Sequence, residues 1–391
     1  MQNNRPTGPT VPLRLALTII ILVLLLGVAV FSIFYFVVFK QPGTTTGPTA
    51  TATPGGSNTQ VVGPSGPCTA NSPYGFTTIH ADSSLVTVYK QLNVCWVRYQ
   101  YHWSKIETSP GVYDWSQVDP AIAAMNAAHI HVDFAIQYAP DWDLSQVCSG
   151  DGQHFLPGPT EMTKFATVLA TRYNGKSGHG TIDSFEIGNE EYDAHFVPGL
   201  GNNQPCRSAS YYGPVLKAGY QAIKAVSPQA LVGMFGLWWH YEPHIQDFMT
   251  YLYANGYGPY MDYMNFHYYH SGGDPAVTNG DDPSFDQEWQ TMRDIATQHG
   301  FAQKPIWVTE VGWPTSTGGS GSSSAVTPQV QSQFMQYILN ESAKSGVVQR
   351  VFWFTINYGH QTDSIYPNTS SGPLPAFYTL QTMIRQKPRW S

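Results

Sequence analysis

From Pro73 onward the chain alternates between two hydrophobic patterns. Short runs of β-branched and aromatic residues give way to longer stretches whose apolar positions recur every three or four residues. The first pattern suits strands buried on both faces of a sheet, and the second suits helices with one apolar stripe. Together they predict strands at 75–79, 95–100, 131–137, 181–187, 231–235, 261–268, 305–310 and 351–356. Helices are predicted over 116–128, 160–173, 212–226, 245–255, 285–299 and 327–345. Eight strands in a regular strand-helix order predict an α/β fold, a (β/α)8 or TIM barrel.

The region before residue 67 has a different pattern. Leu15 to Phe39 is an unbroken apolar run bracketed by Arg14 and Lys40. As a helix it would reach about 37 Å, enough to cross a hydrocarbon layer of about 30 Å with some tilt. Its end, Phe34-Tyr35-Phe36-Val37-Val38-Phe39, lacks the small residues of a cleavage site. We therefore expect an uncleaved transmembrane signal anchor at 15–39, with a cleaved signal peptide as the alternative. Arg5, Arg14 and the terminal amine precede the run, so residues 1–14 are expected in the cytoplasm and the C-terminal bulk outside the cell membrane. Residues 40–66 form a linker of mainly Thr, Pro, Gly and Ser that cannot bury enough apolar area to offset the entropy of ordering it. The expected globular domain is 67–391.

Composition narrows the functional class. Charged residues make up 12% of the chain and the net charge is -7, so the basic footprint of a nucleic-acid partner is absent. Aromatics reach 14%, with 11 Trp and 24 Tyr, more ring surface than a core usually needs and suited to stacking on sugars. The four cysteines, Cys68, Cys95, Cys148 and Cys206, all follow the linker, where disulfides can form. Of the three possible pairings we favour Cys148 with Cys206, both in long polar loops, which leaves Cys68 and Cys95 as a second pair or as free thiols.

Two strand-like runs close on a carboxylate. Phe185 to Asn189 ends at Glu190, and Pro305 to Thr309 ends at Glu310, before Val311-Gly312-Trp313. In a (β/α)8 barrel these positions fall at the C-terminal ends of the fourth and seventh strands, the face that carries active sites. Paired carboxylates there suit glycosidic cleavage, in which one protonates a leaving oxygen and the other attacks or stabilises an oxocarbenium-like centre. Neither cofactor nor metal is expected: His240 and His244 are four apart, but Pro243 lies between them and no HExxH pattern is present.

Several motifs carry a family resemblance. Gly188-Asn189-Glu190, His267-Tyr268-Tyr269 and Thr309-Glu310 resemble the retaining glycoside hydrolases of clan A. So do Arg98 followed by Trp103, the segment Ile106-Glu107-Thr108-Ser109-Pro110-Gly111-Val112-Tyr113-Asp114-Trp115, and Gln137-Tyr138-Ala139-Pro140-Asp141-Trp142. The motifs are closest to family 39 and to family 5-like, cellulase-type enzymes. The resemblance implies that Glu190 is the general acid/base and Glu310 the nucleophile. It further implies that Arg98 supports the nucleophile, Asn189 holds a substrate hydroxyl and Tyr269 donates to Glu310. His267 is expected to orient by hydrogen bonding. Trp353 is expected as a stacking floor, and Trp238 and Trp313 as further substrate-binding rings.

The pattern also departs from the clan. Glu191 stands where many members have Pro after the acid/base. Glu186 is expected deeper in the barrel as a buried, partnered carboxylate. A bare barrel with an aromatic rim predicts internal cleavage of a polysaccharide. A transglycosylase using the same residues and a non-catalytic, sugar-binding surface protein remain the alternatives.

Overall fold

In the computed structural model, the described residues are 68–78, 83–140, 142, 157–190, 209–238, 244–271, 273–280, 282–315, 325–356, 363–366 and 372–390. The predicted span, the linker, Glu191, His240, Cys148 and Cys206 lie outside them. Among the described residues no helix is long and apolar enough to cross a membrane.

Eight strand-helix units follow one another. They are β1 (Tyr74–Thr78) and α1 (Ser83–Leu92), β2 (Trp96–His102) and α2 (Val118–Ala127), and β3 (His131–Gln137) and α3 (Pro159–Arg172). Next come β4 (Ser184–Ile187) and α4 (Ala209–Val226), β5 (Leu231–Met234) and α5 (His244–Ala254), and β6 (Met264–Tyr268) and α6 (Phe285–Gln298). The last are β7 (Ile306–Val311) and α7 (Pro328–Ser345), and β8 (Val348–Trp353) and α8 (Pro375–Gln386). All eight predicted strands are present. Helices α1 and α8 lie outside the predicted segments.

Neighbouring strands are parallel in the order β5-β4-β3-β2-β1-β8-β7-β6. The short strand Leu237–Trp238, which continues the line of β5, pairs with β6, and a parallel bridge joins Gly233 to Tyr263. The ring of strands is therefore nearly closed, an eight-stranded parallel barrel wrapped by helices.

Each strand is buried on both sides, so its two faces serve different layers. Outward residues such as Val132, Phe134, Ile136, Phe185 and Ile187 join the apolar faces of the helices in one extended core. The interior floor is a separate cluster of Cys95, Trp96, Tyr263, Trp307 and Phe352. There Tyr263 stacks on Trp307 at 3.7 Å, and the Arg350 guanidinium lies over Trp96 at 4.0 Å and Trp307 at 4.2 Å. Burial pulls the Arg350 pKa down to about 9, with the charges of Asp133 and Asp183 opposing the shift. Arg350 donates to the carbonyls of Ser72 and Ala70, tying the segment that enters β1 beneath the barrel.

A disulfide between Cys68 and Cys95 fastens the same segment. Of the two possibilities left open for these cysteines, they form a pair. Closing a loop with a sequence separation of 27 removes unfolded-chain entropy worth about 3.5 kcal/mol.

The segment after β2 has a structural role. Residues Trp103–Ile106 form a single helical turn, and Glu107–Ser109 pairs antiparallel with Val112–Tyr113. Buried Glu107 accepts from Trp103 Nε1 at 2.7 Å and from the Gly111 amide at 2.9 Å, which fixes the hairpin. Trp103 stacks on Phe165 of α3 at 4.1 Å. Thus Glu107, though part of a resembling motif, uses its carboxylate to brace this hairpin.

Candidate active site

β4 ends in a sharp turn in which Gly188 has φ 102° and Glu190 has φ 52°. Glycine adopts the left-handed region freely, whereas a glutamate there is uncommon and needs support from its surroundings. The turn aims Glu190 toward Glu310 of β7. A Glu190 oxygen, a Glu310 oxygen and a His267 ring nitrogen all lie within 4.8 Å of one another. Glu310 pairs in register with His267 of β6, next to a register shift between Val308 and Glu310.

Donors surround Glu310. Arg98 Nη1 donates to Oε1 at 2.7 Å, Gln100 Nε2 donates to the same oxygen at 2.6 Å, and Tyr269 donates its hydroxyl to Oε2 at 2.6 Å. Burial opposes the charge on Glu310, but His267, Arg98 and the hydrogen bonds from Tyr269 and Arg98 outweigh it and hold the pKa below the usual carboxylate range. Burial, reinforced by the Glu310 charge, raises the Tyr269 pKa well above its ordinary value, so the phenol remains a donor. The two carboxylates sit in different surroundings: the Glu310 side chain is 8% exposed and that of Glu190 is 33% exposed. His267 Nδ1 is 2.5 Å from Glu190 and 3.7 Å from Glu310, bridging the pair.

Arg98 is the hub beneath them. Its Nε donates to Glu186 at 2.8 Å and its Nη2 to the Asn189 side-chain oxygen at 2.6 Å, in addition to the bond to Glu310. Burial disfavours the guanidinium charge, but Glu186 and Glu310 more than compensate, so its pKa is raised. Burial raises the Glu186 pKa well above the carboxylate range, with Arg98 opposing the shift and neighbouring Asp133 adding to it. Glu186 is thus the buried, partnered carboxylate expected from the sequence.

The structure brings together Glu190, Glu310, Arg98, Asn189, His267 and Tyr269. Trp238 lies on the short strand after β5, and nothing is described of its side chain. Two expected sugar-binding rings are corrected. Trp313 is completely buried and packs on Phe334 of α7, 5.1 Å away. Trp353 is buried beside it, with ring centroids 6.0 Å apart. Both rings face the layer between strands and helices, where they have no surface to offer a sugar.

The next residue, Phe354, has the position expected of Trp353. It is partly exposed, and its ring meets Tyr269 edge-on at 6.3 Å. At the ends of β2 and β3, His102 and Tyr138 stack at 4.2 Å, both partly exposed. Gln100 was also missed as a site residue. Its signal was strand alternation, because it lies two residues beyond Arg98 on the same face. Nothing in the local pattern separates Phe354 from Trp353, since which of the two faces the mouth depends on where β8 ends.

Glu190, His267 and Glu310 are spaced so that they could hold a metal ion. Both Glu310 oxygens, however, already accept hydrogen bonds, two on Oε1 and one on Oε2. That environment suits an ionised nucleophile better than a metal ligand.

Comparisons with known proteins agree with this geometry. Residues 176–371, half of the chain, match the family described as glycosyl hydrolase catalytic core. A family 39 glycoside hydrolase from the gut symbiont Bacteroides cellulosilyticus WH2 shares 17% identity and a TM-score of 0.61, covering 81% of this chain and 64% of that one. A glucosidase from Croceicoccus marinus shares 15% identity at a TM-score of 0.57, covering 80% and 66%. Xylanase B from Clostridium stercorarium F9 shares 14% identity at a TM-score of 0.56, covering 79% and 96%. This chain therefore spans just under two thirds of the first two structures and nearly all of the third. At such identities the likeness carries the fold. The search of curated proteins returns no match. With the family matched over half of the chain and family 39 among the structural neighbours, the clan A resemblance holds, and the chain belongs to the glycosyl hydrolase catalytic core family.

Proposed function

We propose that the protein hydrolyses O-glycosidic bonds within a polysaccharide by a retaining double displacement. The observation that carries this reading is the pairing of Glu310, buried and held ionised by Arg98, with a partly exposed Glu190 whose oxygen lies within 4.8 Å of it. A retaining pair of carboxyl groups sits about 5–5.5 Å apart and an inverting pair, which needs room for a water, about 6.5–9.5 Å. The close approach of one oxygen from each glutamate therefore supports the retaining reading without measuring that separation.

Glu310 attacks the anomeric carbon as Glu190 gives its proton to the departing oxygen. The glycosidic bond breaks and a glycosyl ester forms on Glu310. Glu190, now a carboxylate, takes a proton from an incoming water, whose oxygen displaces Glu310 and restores both groups. Arg98, Gln100 and Tyr269 stabilise the Glu310 charge before attack and when it leaves. Phe354 and the His102–Tyr138 pair offer ring faces to the substrate, and Asn189, anchored by Arg98, contacts a hydroxyl.

Internal cleavage is favoured by partly exposed rings at separate strand ends, Phe354 after β8 and the His102–Tyr138 pair at the ends of β2 and β3. We place the domain outside the cell, held by the apolar span at 15–39 and the linker at 40–66.

The test is reducing-end release by the full chain across β-glucans, xylan, mannan and galactan, with the anomeric configuration of the first product followed by NMR. Release of oligomers with retained configuration is expected, together with loss of roughly a thousandfold or more in Glu310→Gln. Glu190→Ala should spare aryl glycosides whose leaving group needs no proton. Inverted product, or equal loss on activated and natural substrates in Glu190→Ala, overturns the assignment.

A further inference from the structure

A cavity of about 540 Å³ opens on the opposite end of the barrel from Glu190 and Glu310. Its wall includes Pro73 before β1, Pro305 before β7 and Val348 at the start of β8, all at N-terminal strand ends. It is therefore separate from the catalytic mouth.

The charge of this cavity runs against that of the molecule. The chain carries 26 Asp and Glu against 19 Lys and Arg. Yet three cations from separate segments converge on the cavity: Arg293 of α6, Lys304 from the turn before β7, and Arg389 beyond α8. Among the described residues its wall has no Asp or Glu. Lys304 is engaged, donating to the Met261 carbonyl and lying over the Phe301 ring. Among the described residues no hydrogen bond or ion pair engages the Arg293 or Arg389 guanidinium, so two guanidinium forks remain available to a ligand. Guanidinium forks match carboxylate and phosphate oxygens two at a time.

The rest of the wall is suited to a sugar. Trp390 is half-buried and is held in place by its Nε1 hydrogen bond to the Tyr74 hydroxyl at 3.3 Å and by edge contact with that ring at 5.7 Å. A fixed indole beside exposed Asn71 and Gln303 combines an apolar stacking surface with amides that can serve hydroxyls. A simple anion would use the cations alone, whereas a glycan unit bearing an acid group would use all of these groups.

We propose that this cavity is a second carbohydrate site, selective for a sugar unit carrying a carboxylate or a phosphate. It holds an acidic glycan at a distance from the cleavage cleft, and binding there needs no turnover.

The experiment is calorimetric titration of the full chain carrying Glu310→Gln with tetragalacturonate, with mannose 6-phosphate, with inorganic phosphate and with a neutral cello-oligosaccharide. At least one of the acidic sugars is expected to bind, and which one does identifies the acid group. Its affinity should fall at least tenfold in an added Arg293→Gln/Arg389→Gln pair and fall as salt is raised. A saturating neutral oligosaccharide in the catalytic cleft should not displace it. In the otherwise unaltered enzyme, the same arginine pair should leave hydrolysis of small aryl glycosides unchanged. The proposal is overturned if neither acidic sugar binds, if the arginine pair binds equally well, or if the neutral oligosaccharide competes. Inorganic phosphate binding as tightly as the sugars, or anionic phospholipid vesicles binding through the arginines without any sugar affinity, would also overturn it. Because the readout is binding by a variant lacking the nucleophile, failure here is distinct from failure of the glycosidase reading.

Discussion

Glu310 shows how one carboxylate can be kept ionised inside a barrel. Among the described residues its Oε2 has one side-chain donor, the Tyr269 hydroxyl, while Arg98 and Gln100 serve Oε1. Tyr269→Phe removes that donor with little change in shape. Hydrogen bonds to charged groups are worth about 1.5–3 kcal/mol, so kcat/KM should fall by about 10–100-fold. The same change should shift the acid limb of the pH profile upward, because a carboxylate with fewer donors holds its proton to higher pH. Steady-state kinetics from about pH 4 to 8 check both effects. A purely structural role would lower the melting temperature and leave that limb unmoved. Sequence reading reached Tyr269 through a family motif, whereas Gln100 needed only the alternation that places it on the same face as Arg98.

At the scale of elements, the break between β5 and its continuation at Leu237–Trp238 admits His267. A Cβ on Gly236 would lie 2.1 Å from His267 Nε2, so only glycine leaves room for the imidazole where it stands. His267 in turn holds Glu190 through Nδ1. Gly236→Ala should therefore displace the imidazole and lower kcat about tenfold or more on natural substrates. The loss should be smaller on aryl glycosides with good leaving groups, for which the proton from Glu190 matters less. Comparing the two substrate classes separates this positioning effect from general destabilisation. A contrasting case is Gly75, where a Cβ would press on the Phe352 ring at 2.4 Å in the barrel floor, far from the mouth. Gly75→Ala should cost about 1–3 kcal/mol of stability through overpacking, read as a lower melting temperature.

For the whole molecule, two carboxylates bias stability in opposite directions with pH. The folded-state pKa of Glu310 is lowered, so its contribution is present above the ordinary carboxylate pKa and is lost as pH falls through the folded value. Asp363 is the opposite case. Burial pushes its pKa up to about 7, with the nearby Glu310 charge adding to the shift. Its contribution is complete below the unfolded value near 4 and is lost as pH rises through about 7. Asp363→Asn should remove that loss. The melting temperature of the variant minus that of the parent should therefore grow from about pH 4 to 7 and then level off. A difference that stays flat across the range would show that Asp363 is not held protonated in the folded protein.

The sequence by itself determined the strand-helix alternation, the order of the eight strands and the two carboxylates that close β4 and β7. These are properties of local periodicity and chain order, which neighbouring residues encode directly. Tertiary structure decided which rings look into the mouth, since Trp353 and Phe354 are adjacent and only the termination of β8 sends one to the helix layer and the other to the rim. It also decided that Cys68 pairs with Cys95, because cysteine spacing leaves several pairings open until the segment beneath the barrel is folded. Finally, it gathered Arg98, Gln100, His267 and Tyr269 from two strands and a loop around one carboxylate, and a charge environment assembled across the barrel cannot be read along a single stretch of chain.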